Sequence, residues 1–563
     1  MLHKNKTFNL LLRFFRKEVT LGATPLSLCL KLIHNKKSSG DDVDQFFESM
    51  TTAERHYWIG NVYASLLPSA KRKKMAIFFT PPHLSDYTIN RLCEFGVDIS
   101  TTKYLDPASG GAAFLTPLAA AIIEKLKESG RSDKEIGLHL CANLAGIEID
   151  GELSGLSKKM LENLLSLEIP HHERNLHEII INADALSFRI PAGGYDVVIG
   201  NPPYGRIKKP SKTLYARFGH ILTYKHVNNY SLFIELAIDA VRPGGFVAML
   251  VPTSFIAGPL FGDLRVSILK NCNILAIDLI QKRADVFFDV LQDACLLILQ
   301  KKADNISVHL PTSRLIFEDG TSTLLGSIDI PRIPIARPWV MPSETCQGLL
   351  TRDFFSDSFS TLEDYGYGVR AGYFVWNREK KRYREATKPK QNEIPLIWAH
   401  CIKPNKSCMF GTHRVWGNPA PKISFVSFNN ASPAIVREPA VILQRTTCKN
   451  QPSRLIAGYV TKKQIAKYGG VITENHTIIL YPLPHKKQLL DIKQMCKLLN
   501  AKPVDSRFRQ VSGTVSVSVM TLRMLPLPKP NILLNKFKDL SKSTNIDDLV
   551  ESCYPKPTRG GNE

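Results

Sequence analysis

The sequence predicts an α/β protein in which a mostly parallel β-sheet is covered by helices on both faces. Between residues 76 and 310, short apolar runs alternate with helical stretches, as in chains built from strand–helix–strand units. These runs end in small or acidic residues, at the strand ends where sheets of this class bind their ligands. A chain of 563 residues is also too long for a single core, so two or three domains are expected.

Changes in composition along the chain predict four segments. Residues 1–75 have the pattern of a helical N-terminal extension, although their basic start also fits an organellar transit peptide. Residues 76–310 contain the strand–helix alternation and form the α/β domain. Residues 340–535 are richer in Pro, Gly, aromatic and basic residues, which predicts an irregular or β-rich second domain. Residues 536–563 predict a weakly ordered tail.

The strands and helices of the α/β domain can be assigned individually. Helices are expected around residues 119–128 and 231–241, and Pro243-Gly-Gly ends the second of them. The strand candidates are Tyr104-Leu-Asp, Leu144-Ala-Gly-Ile-Glu-Ile-Asp, Ile179-Ile-Ile-Asn, Tyr195-Asp-Val-Val-Ile-Gly and Phe246-Val-Ala-Met-Leu-Val.

The charge of the chain indicates a polyanionic partner. Lys and Arg number 73 against 51 Asp and Glu, a net charge of +22, which favours nucleic acid or an anionic membrane surface. No apolar run reaches the ~18 residues that a membrane span requires. The 11 cysteines show no C-x-x-C pair, which is typical of reduced thiols in a cytoplasmic protein and predicts no metal cluster.

A turn rich in small residues follows the first strand of the α/β domain. Asp106-Pro-Ala-Ser-Gly-Gly-Ala-Ala leads into a helix, and small residues let the backbone turn tightly and approach a ligand closely. No Gly-Lys-Ser/Thr follows, so this is not the phosphate loop of NTPases. Alone, the turn predicts either a nucleotide-binding site or a simple tight turn.

Two acidic residues end the next strands. Glu148, in Gly146-Ile-Glu-Ile-Asp, can accept hydrogen bonds from two ribose hydroxyls, or it can cap a helix. Asp184, in Asn182-Ala-Asp-Ala-Leu, can hold the exocyclic amine of a bound adenine, or it too can cap a helix.

The most specific signal is Asn201-Pro-Pro-Tyr at the end of a strand. The two prolines donate no hydrogen bonds and hold the backbone rigid, which leaves carbonyl acceptors in fixed directions beside an amide and an aromatic ring. An aromatic amine such as adenine N6 is a poor nucleophile because its lone pair is delocalised. Accepting both its hydrogens, on the Asn201 oxygen and the Pro202 carbonyl, would free that lone pair, while Tyr204 stacks on the base.

Together these motifs resemble those of the gamma-class (TaqI-like) DNA adenine-N6 methyltransferases of bacterial restriction–modification systems. Ala76-Ile-Phe-Phe-Thr-Pro-Pro lies upstream and is similar to the family's motif over the methionine end of the cofactor. The resemblance implies a Rossmann-like S-adenosylmethionine-dependent methyltransferase domain, with a seven-stranded sheet whose last strand is antiparallel, and a C-terminal target-recognition domain. One departure is Gly110-Gly-Ala, where the family has Gly-Ser-Gly.

The resemblance also implies roles for individual residues. The target adenine would be held by Asn201, Pro202 and Tyr204, with Phe287 on its other face. The residues that would contact S-adenosylmethionine are Thr80, Asp106, Ala108, Gly110, Glu148, Ile149 and Asp184.

The C-terminal half fits a DNA partner. Residues 369–384 interleave aromatic and basic side chains, which suits phosphate contact and base stacking, although a solvated pair of basic strands would look the same. We expect double-stranded DNA as the substrate and any cognate restriction endonuclease as a separate chain, since no nuclease motif is evident. The alternatives are an RNA or protein-glutamine N-methyltransferase, or a catalytically silent DNA-binding specificity module.

Overall fold

The computed structural model describes most of the chain. The described residues are 2–33, 41–48, 50–68, 79–171, 179–207, 209–222, 227–281, 293–304, 310–328, 330–331, 336–342, 358–410, 423–429, 432–447, 451–511, 517–537 and 545–555.

Two compact units make up the chain. The first contains Met1–Phe255 and Leu260–Arg337, and the second contains Ile256–Pro259 and Pro338–Glu563. The N-terminal extension belongs to the first unit, because its apolar side chains share one core with Phe79 and with Leu153, Leu156 and Met160. Its helices are α1 (Leu2–Thr20), α2 (Pro25–Ile33), α3 (Asp41–Glu48) and α4 (Thr52–Leu66).

The first unit is built on a sheet of nine strands. Their bounds are β1 (Tyr104–Asp106), β2 (Leu144–Glu148), β3 (Ile180–Asn182), β4 (Tyr195–Gly200), β7 (Val241–Pro252), β8 (Cys272–Ile280), β9 (Ala294–Lys301), β10 (Thr312–Ile316) and β11 (Ser322–Ser327). A separate two-stranded ribbon pairs β5 (Arg206–Ile207) with β6 (Val227–Asn228).

The order of the nine strands is β11-β10-β8-β9-β7-β4-β1-β2-β3. Strand β1 is parallel to β2 and β4, and β4 is parallel to β7, whereas β9 is antiparallel to both its neighbours. The α/β class and the antiparallel last strand of the expected seven are therefore confirmed. Strands β10 and β11 add to the edge beyond β8 and were not predicted, because they are partly exposed and lack a continuous apolar run.

Helices alternate with these strands, as the apolar pattern predicts. The core between them includes Tyr104, Leu118, Ile122, Val197 and Leu296, all buried. The helices of this part are α5 (Pro82–Glu94), α6 (Leu115–Glu128), α7 (Asp133–Asn143), α8 (Gly151–Glu168), α9 (Lys212–Phe218), α10 (Asn229–Ala240), α11 (Ser254–Ala257) and α12 (Gly262–Asn271).

The second unit contains two four-stranded sheets, ordered β12-β19-β16-β17 and β13-β15-β14-β18. Its strands are β12 (Tyr367–Ala371), β13 (Tyr383–Ala386), β14 (Glu393–Ile397), β15 (Ile423–Ser427), β16 (Ala440–Gln444), β17 (Ala457–Val460), β18 (Ile472–Thr473) and β19 (Thr477–Pro482). Its helices are α13 (Trp376–Glu379), α14 (Lys462–Tyr468), α15 (Ile492–Leu499), α16 (Lys502–Val511), α17 (Val519–Arg523), α18 (Pro530–Phe537) and α19 (Ile546–Glu551).

One expectation about this unit needs correction. The chain from residue 536 onward was expected to be weakly ordered, but Leu549, Val550, Cys553 and Tyr554 are buried in the core of the second unit. The short apolar group on α19 is too brief to show helical periodicity in the sequence, and only its packing against the other helices reveals it. Across the described ranges, none of the helices has the length and apolar character needed to cross a membrane.

Candidate active site

The site begins at the carboxyl end of β1, where Asp106 is 1% exposed. Its Oδ1 accepts a hydrogen bond from the backbone N–H of Ala108 at 3.0 Å, which closes the first bend of the small-residue turn. Gly200, at the end of the neighbouring β4, leaves the space that Asp106 occupies, because a Cβ there would lie 2.7 Å from Asp106 Oδ1. The glycine that precedes Asn201 therefore allows β1 and β4 to end side by side.

The turn itself contains two residues in the left-handed region. Gly110 has φ 53° and Ala112 has φ 56°. The Gly110 N–H donates to Glu148 Oε2 at 3.0 Å, so the turn is tied to the end of β2. The left-handed conformation costs an alanine about 1–2 kcal/mol, which explains why a glycine suits position 112 in the family that the turn resembles. Here the buried Ala112 takes the conformation nonetheless.

Glu148 is 7% exposed and carries two backbone hydrogen bonds, the second from Asp150 N–H to Oε1 at 2.8 Å. Each oxygen of a carboxylate has a further lone pair, so Glu148 keeps acceptor capacity for a ligand. Burial raises the pKa of Glu148, and burial with the nearby Glu148 charge raises the pKa of Asp106 to about 8. The ends of β1 and β2 thus hold two carboxyl groups in a poorly hydrated place.

The two remaining residues on this side are exposed. The Ile149 side chain is 63% exposed beside Glu148, which is unusual for a large apolar group and leaves it accessible to a ligand. Asp184 caps the turn that follows β3, since Oδ1 accepts from Leu186 N–H and Oδ2 accepts from the Ser187 hydroxyl, both at 3.0 Å. Asp184 therefore stabilises a turn, and not a helix as in the alternative that the sequence left open, because no helix lies among the described residues between β3 and β4.

Asn201 lies directly after β4 and its amide is oriented from both ends. Its Nδ2 donates to Thr80 Oγ1 at 3.1 Å, and its Oδ1 accepts from the Tyr204 hydroxyl at 2.8 Å. The same hydroxyl approaches the Leu250 carbonyl of β7 at 3.1 Å. Thr80 is 2% exposed, so this end of the amide is shielded from water. Thr80, expected from the resemblance to contact a cofactor, is thus also a direct partner of Asn201.

Aromatic side chains pack against this loop. Tyr204 meets the buried Tyr230 of α10 edge to face, with ring centroids 6.4 Å apart, and Tyr230 stacks on Phe261 at 5.5 Å. Sequence reasoning did not find Tyr230 or Phe261, because nothing in their local spacing separates them from core aromatics. Pro202 is buried beside Asn201. Phe287 and its neighbour Phe288 lie outside the described residues, as do residues 76–78 of the upstream motif.

Phe79 was also missed, and it joins the N-terminal extension to the site. A Cβ on Gly60 of α4 would lie 2.6 Å from the Phe79 ring, and one on Gly111 would also overlap the ring. The ring is therefore packed between α4 and the small-residue turn. Residues 79 and 80 consequently contact both motifs, Phe79 at the turn after β1 and Thr80 at Asn201 after β4.

The chain is similar to known proteins of restriction–modification systems. Residues 120–287 match the Eco57I restriction-modification methylase family. Type II methyltransferase M.BsuBI of Bacillus subtilis is 26% identical over 502 residues, which cover 83% of this chain and 90% of that protein. Type II methyltransferase M.PstI of Providencia stuartii is 25% identical over 517 residues, or 86% and 94% of the two chains.

A solved structure supports the fold over most of the chain. The type IIL restriction-modification enzyme MmeI, solved in complex with DNA, aligns with a TM-score of 0.51 and 14% identity, covering 90% of this chain and 77% of that one. The likeness to restriction–modification methyltransferases that the motifs predicted is confirmed. Residues 120–287 therefore resemble the Eco57I restriction-modification methylase family, within a chain that is similar to type II methyltransferases over more than four-fifths of its length.

Proposed function

We propose that this chain is a site-specific DNA methyltransferase that transfers a methyl group from S-adenosylmethionine to N6 of adenine. The observation that carries the proposal is the orientation of the Asn201 amide, held by Thr80 at Nδ2 and by Tyr204 at Oδ1. The hydrogen bond from Nδ2 to Thr80 fixes the position of the oxygen, which is the acceptor that a substrate N–H requires. An amide oxygen has two lone pairs, so it can accept an N–H while Tyr204 remains bound.

The residues around the turn fit S-adenosylmethionine. Glu148 retains acceptor capacity suited to ribose hydroxyls, and the turn between Asp106 and Ala112 presents mainly backbone and small side chains. Two buried polar atoms without a hydrogen-bond partner in the described chain, His56 Nδ1 and Thr116 Oγ1, belong to side chains that line one cleft with residues of the turn. When bound, S-adenosylmethionine supplies an electrophilic methyl group.

The residues of the Asn-Pro-Pro-Tyr loop then act on the amine. Asn201 Oδ1 accepts a hydrogen bond from one N6 hydrogen, and the Pro202 carbonyl accepts a hydrogen bond from the other. These two hydrogen bonds draw the nitrogen toward a tetrahedral geometry and free its lone pair. The Tyr204 ring holds the base by stacking. An adenine in duplex DNA reaches this loop only when it is flipped out of the helix, at a cost of about a few kcal/mol that stacking offsets.

DNA is the substrate that the rest of the chain supports. The relatives are named type II methyltransferases, enzymes of restriction–modification, and the net charge of +22 suits a polyanion. A cognate endonuclease would be a separate protein, as the methyltransferase names of these relatives suggest. We propose that the second unit, with its basic and aromatic segment 369–384, recognises the target sequence.

The alternatives use the same amide chemistry on other substrates. Cytosine N4, an RNA adenine and a protein glutamine each present an sp² nitrogen with two hydrogens. A catalytically silent DNA-binding module would still recognise DNA through the second unit but would not transfer methyl groups. The adenine assignment rests on Asn201 as the first residue of the loop and on the order of the motifs along the chain.

A labelling experiment separates these substrates. The protein is incubated with methyl-labelled S-adenosylmethionine and, separately, with unmethylated bacterial DNA, total RNA or a protein extract. We expect label in DNA alone, recovered after digestion as N6-methyladenine in one recurring sequence context. Label recovered in N4-methylcytosine would mean that the target base is cytosine and not adenine. Label found only in RNA or protein would overturn the proposal. An Asn201→Ala sample serves as the control for contaminating enzymes.

A further inference from the structure

A cleft lies between helix α4 of the N-terminal extension and the small-residue turn. Its lining includes His56, Tyr57, Thr80, Gly111 and Thr116. Ala53, His56 and Tyr57 are three and four residues apart on α4, so they share one face of the helix. The extension therefore contributes one wall of a space whose other wall is the turn after β1.

The contacts of α4 fix this wall in place. Phe79 is packed between Gly60 of α4 and Gly111 of the turn. One helical turn further along, the Tyr63 hydroxyl donates to Asp150 Oδ1 at 3.2 Å and to Glu152 Oε2 at 2.9 Å, at the start of α8. The helix is thus anchored at both loops that follow β1 and β2.

Two polar groups of the cleft lack partners. His56 is 4% exposed and Thr116 is 2% exposed, yet His56 Nδ1 and Thr116 Oγ1 make no hydrogen bond within the part of the chain that is described. Leaving such a group unsatisfied costs about 1–3 kcal/mol, so buried polar atoms of this kind point to a ligand. Both belong to side chains that line the same cleft.

The hydrogen-bonding role of His56 follows from its other nitrogen. Nε2 lies 3.4 Å from Asn163 Oδ1, and because a carboxamide oxygen only accepts, the ring proton is on Nε2. Nδ1 is then an acceptor. Burial lowers the pKa of His56 to about 4, so the ring is neutral at physiological pH and can accept a hydrogen bond from a cation. The Thr116 hydroxyl can donate to an anion.

The lining excludes several ligand classes. None of the lining side chains carries a formal charge at neutral pH, which disfavours a phosphate or an isolated ion and suits a zwitterion with no net charge. Thr80 lines the cleft and also binds Asn201, so the cleft begins where methyl transfer is proposed to occur. Glu148, suited to the ribose, lies at the end of β2 on the far side of the turn from β4.

We propose that His56 and Thr116 bind the amino-acid end of S-adenosylmethionine, so that the N-terminal extension is part of the cofactor site. His56 Nδ1 accepts a hydrogen bond from the ammonium group, and the Thr116 hydroxyl donates one to the carboxylate. This inference rests on the proposed use of S-adenosylmethionine and adds two residues to it.

The test compares two ligands by calorimetry on the full-length protein. S-adenosylhomocysteine carries the amino-acid group, whereas 5′-methylthioadenosine has the same adenosine and sulfur without it. We expect His56→Phe and Thr116→Val each to weaken S-adenosylhomocysteine binding by roughly 10-fold or more, the value of a hydrogen bond to a charged group. Binding of 5′-methylthioadenosine should stay within about 2-fold of the wild type, since it makes neither contact.

The controls separate a binding role from a structural one. Thr116→Val preserves the shape of the side chain. The test therefore remains valid even where phenylalanine at position 56 disturbs the fold. His139→Phe, a histidine of α7 outside the cleft, should change neither affinity. Unchanged S-adenosylhomocysteine binding in both variants, or equal weakening of both ligands, would overturn the inference. If the wild-type protein bound no S-adenosylhomocysteine, the proposed function would fail as well.

Discussion

At the scale of single residues, the Asn201 amide has a hydrogen-bond partner on its nitrogen and another on its oxygen. A side-chain amide carries a donor and an acceptor at nearly the same distance from the backbone, and only its partners decide which one faces a ligand. Thr80 accepts from the nitrogen, so the oxygen is turned toward the Tyr204 hydroxyl. Hydrogen bonds therefore link Thr80, Asn201 and Tyr204, although Thr80 is far from the other two in sequence.

Asn201→Ala removes the acceptor while leaving a small side chain after the strand. We expect methyl transfer to fall by roughly 100-fold or more, as for the loss of a preorganised hydrogen-bond partner of a transition state. S-adenosylhomocysteine binding should stay close to that of the wild type. Single-turnover transfer and equilibrium binding measure the two effects, and near-normal transfer would remove Asn201 from the mechanism.

Tyr204→Phe is the matched comparison, because it keeps the ring and removes the hydroxyl that donates to Asn201. Loss of one neutral hydrogen bond is worth about 0.5–1.5 kcal/mol, so we expect transfer to fall by roughly 2- to 10-fold. A loss as large as that of Asn201→Ala would show that the hydroxyl, rather than stacking by the ring, is the main contribution of Tyr204.

Asp106 should make folding stability depend on pH. Burial raises its pKa to about 8, whereas the unfolded chain releases this proton near the ordinary pKa of about 4. Between these values the folded protein binds more protons than the unfolded one, so the contribution of Asp106 to stability falls as the pH rises.

Asp106→Asn removes this titration and keeps an oxygen to accept from Ala108 N–H. In the absence of ligand, the stability of the variant relative to the wild type should therefore increase between about pH 5 and about pH 8. Urea unfolding across this range measures the difference. A difference that does not vary with pH would mean that Asp106 is ionised in the folded protein throughout.

At the scale of elements, the contact of α4 with the small-residue turn depends on two glycines that accommodate Phe79. Helices normally disfavour glycine, by roughly 0.5–1 kcal/mol relative to alanine. Gly60 and Gly155 are both within helices, but a Cβ at Gly155 would meet open space, whereas one at Gly60 would meet the Phe79 ring at 2.6 Å. The two positions therefore form a matched pair.

Gly60→Ala should lower the free energy of unfolding by about 1–3 kcal/mol, the usual cost of overpacking, because the Phe79 ring must move. It should also weaken S-adenosylhomocysteine binding, since the turn moves with the ring. Gly155→Ala should instead raise the free energy of unfolding by about 0.5–1 kcal/mol and leave binding unchanged. Equal effects of the two changes would show that Phe79 is not held tightly by α4.

At the scale of the whole molecule, the first unit contains the candidate active site and the second carries the basic and aromatic segment. In that segment Trp376 is 43% exposed and lies edge to face with Tyr383, with centroids 5.0 Å apart. Arg378 and Lys380 are exposed beside it. Exposed cations next to accessible aromatic rings suit contact with phosphates and bases.

Arg378→Ala combined with Lys380→Ala should weaken DNA binding and reduce the slope of log affinity against log salt by roughly 0.9 for each phosphate that is no longer neutralised. S-adenosylhomocysteine binding, which we assign to the first unit, should not change. Lys462→Ala with Lys463→Ala removes the same charge from exposed positions on α14 and is the control. Equal losses of affinity in the two double variants would indicate a general effect of charge instead of direct DNA binding by segment 369–384.

The sequence by itself determined the strand candidates, the turn after β1 and the Asn-Pro-Pro-Tyr loop. Each depends on neighbouring residues: apolar runs of strand length, small residues that permit a tight turn, and prolines that hold a loop rigid. The resemblance to the family indicated that position 112 departs from glycine, and the structure shows why glycine would suit it, because Ala112 has a φ of 56°. Strands β10 and β11 were missed because they are partly exposed and neither contains a continuous apolar run.

Only the tertiary structure decided which side chains meet. Thr80 and Asn201 are 121 positions apart, and Tyr63 and Asp150 are 87 apart. No periodicity or motif in one sequence links positions so distant. Packing of α4 on the small-residue turn places His56 and Thr116 in the lining of one cleft, and the order of the strands places Asp106 against Gly200. The types of residue were readable from the chain, whereas their partners depend on long-range packing that exists only once the core has formed.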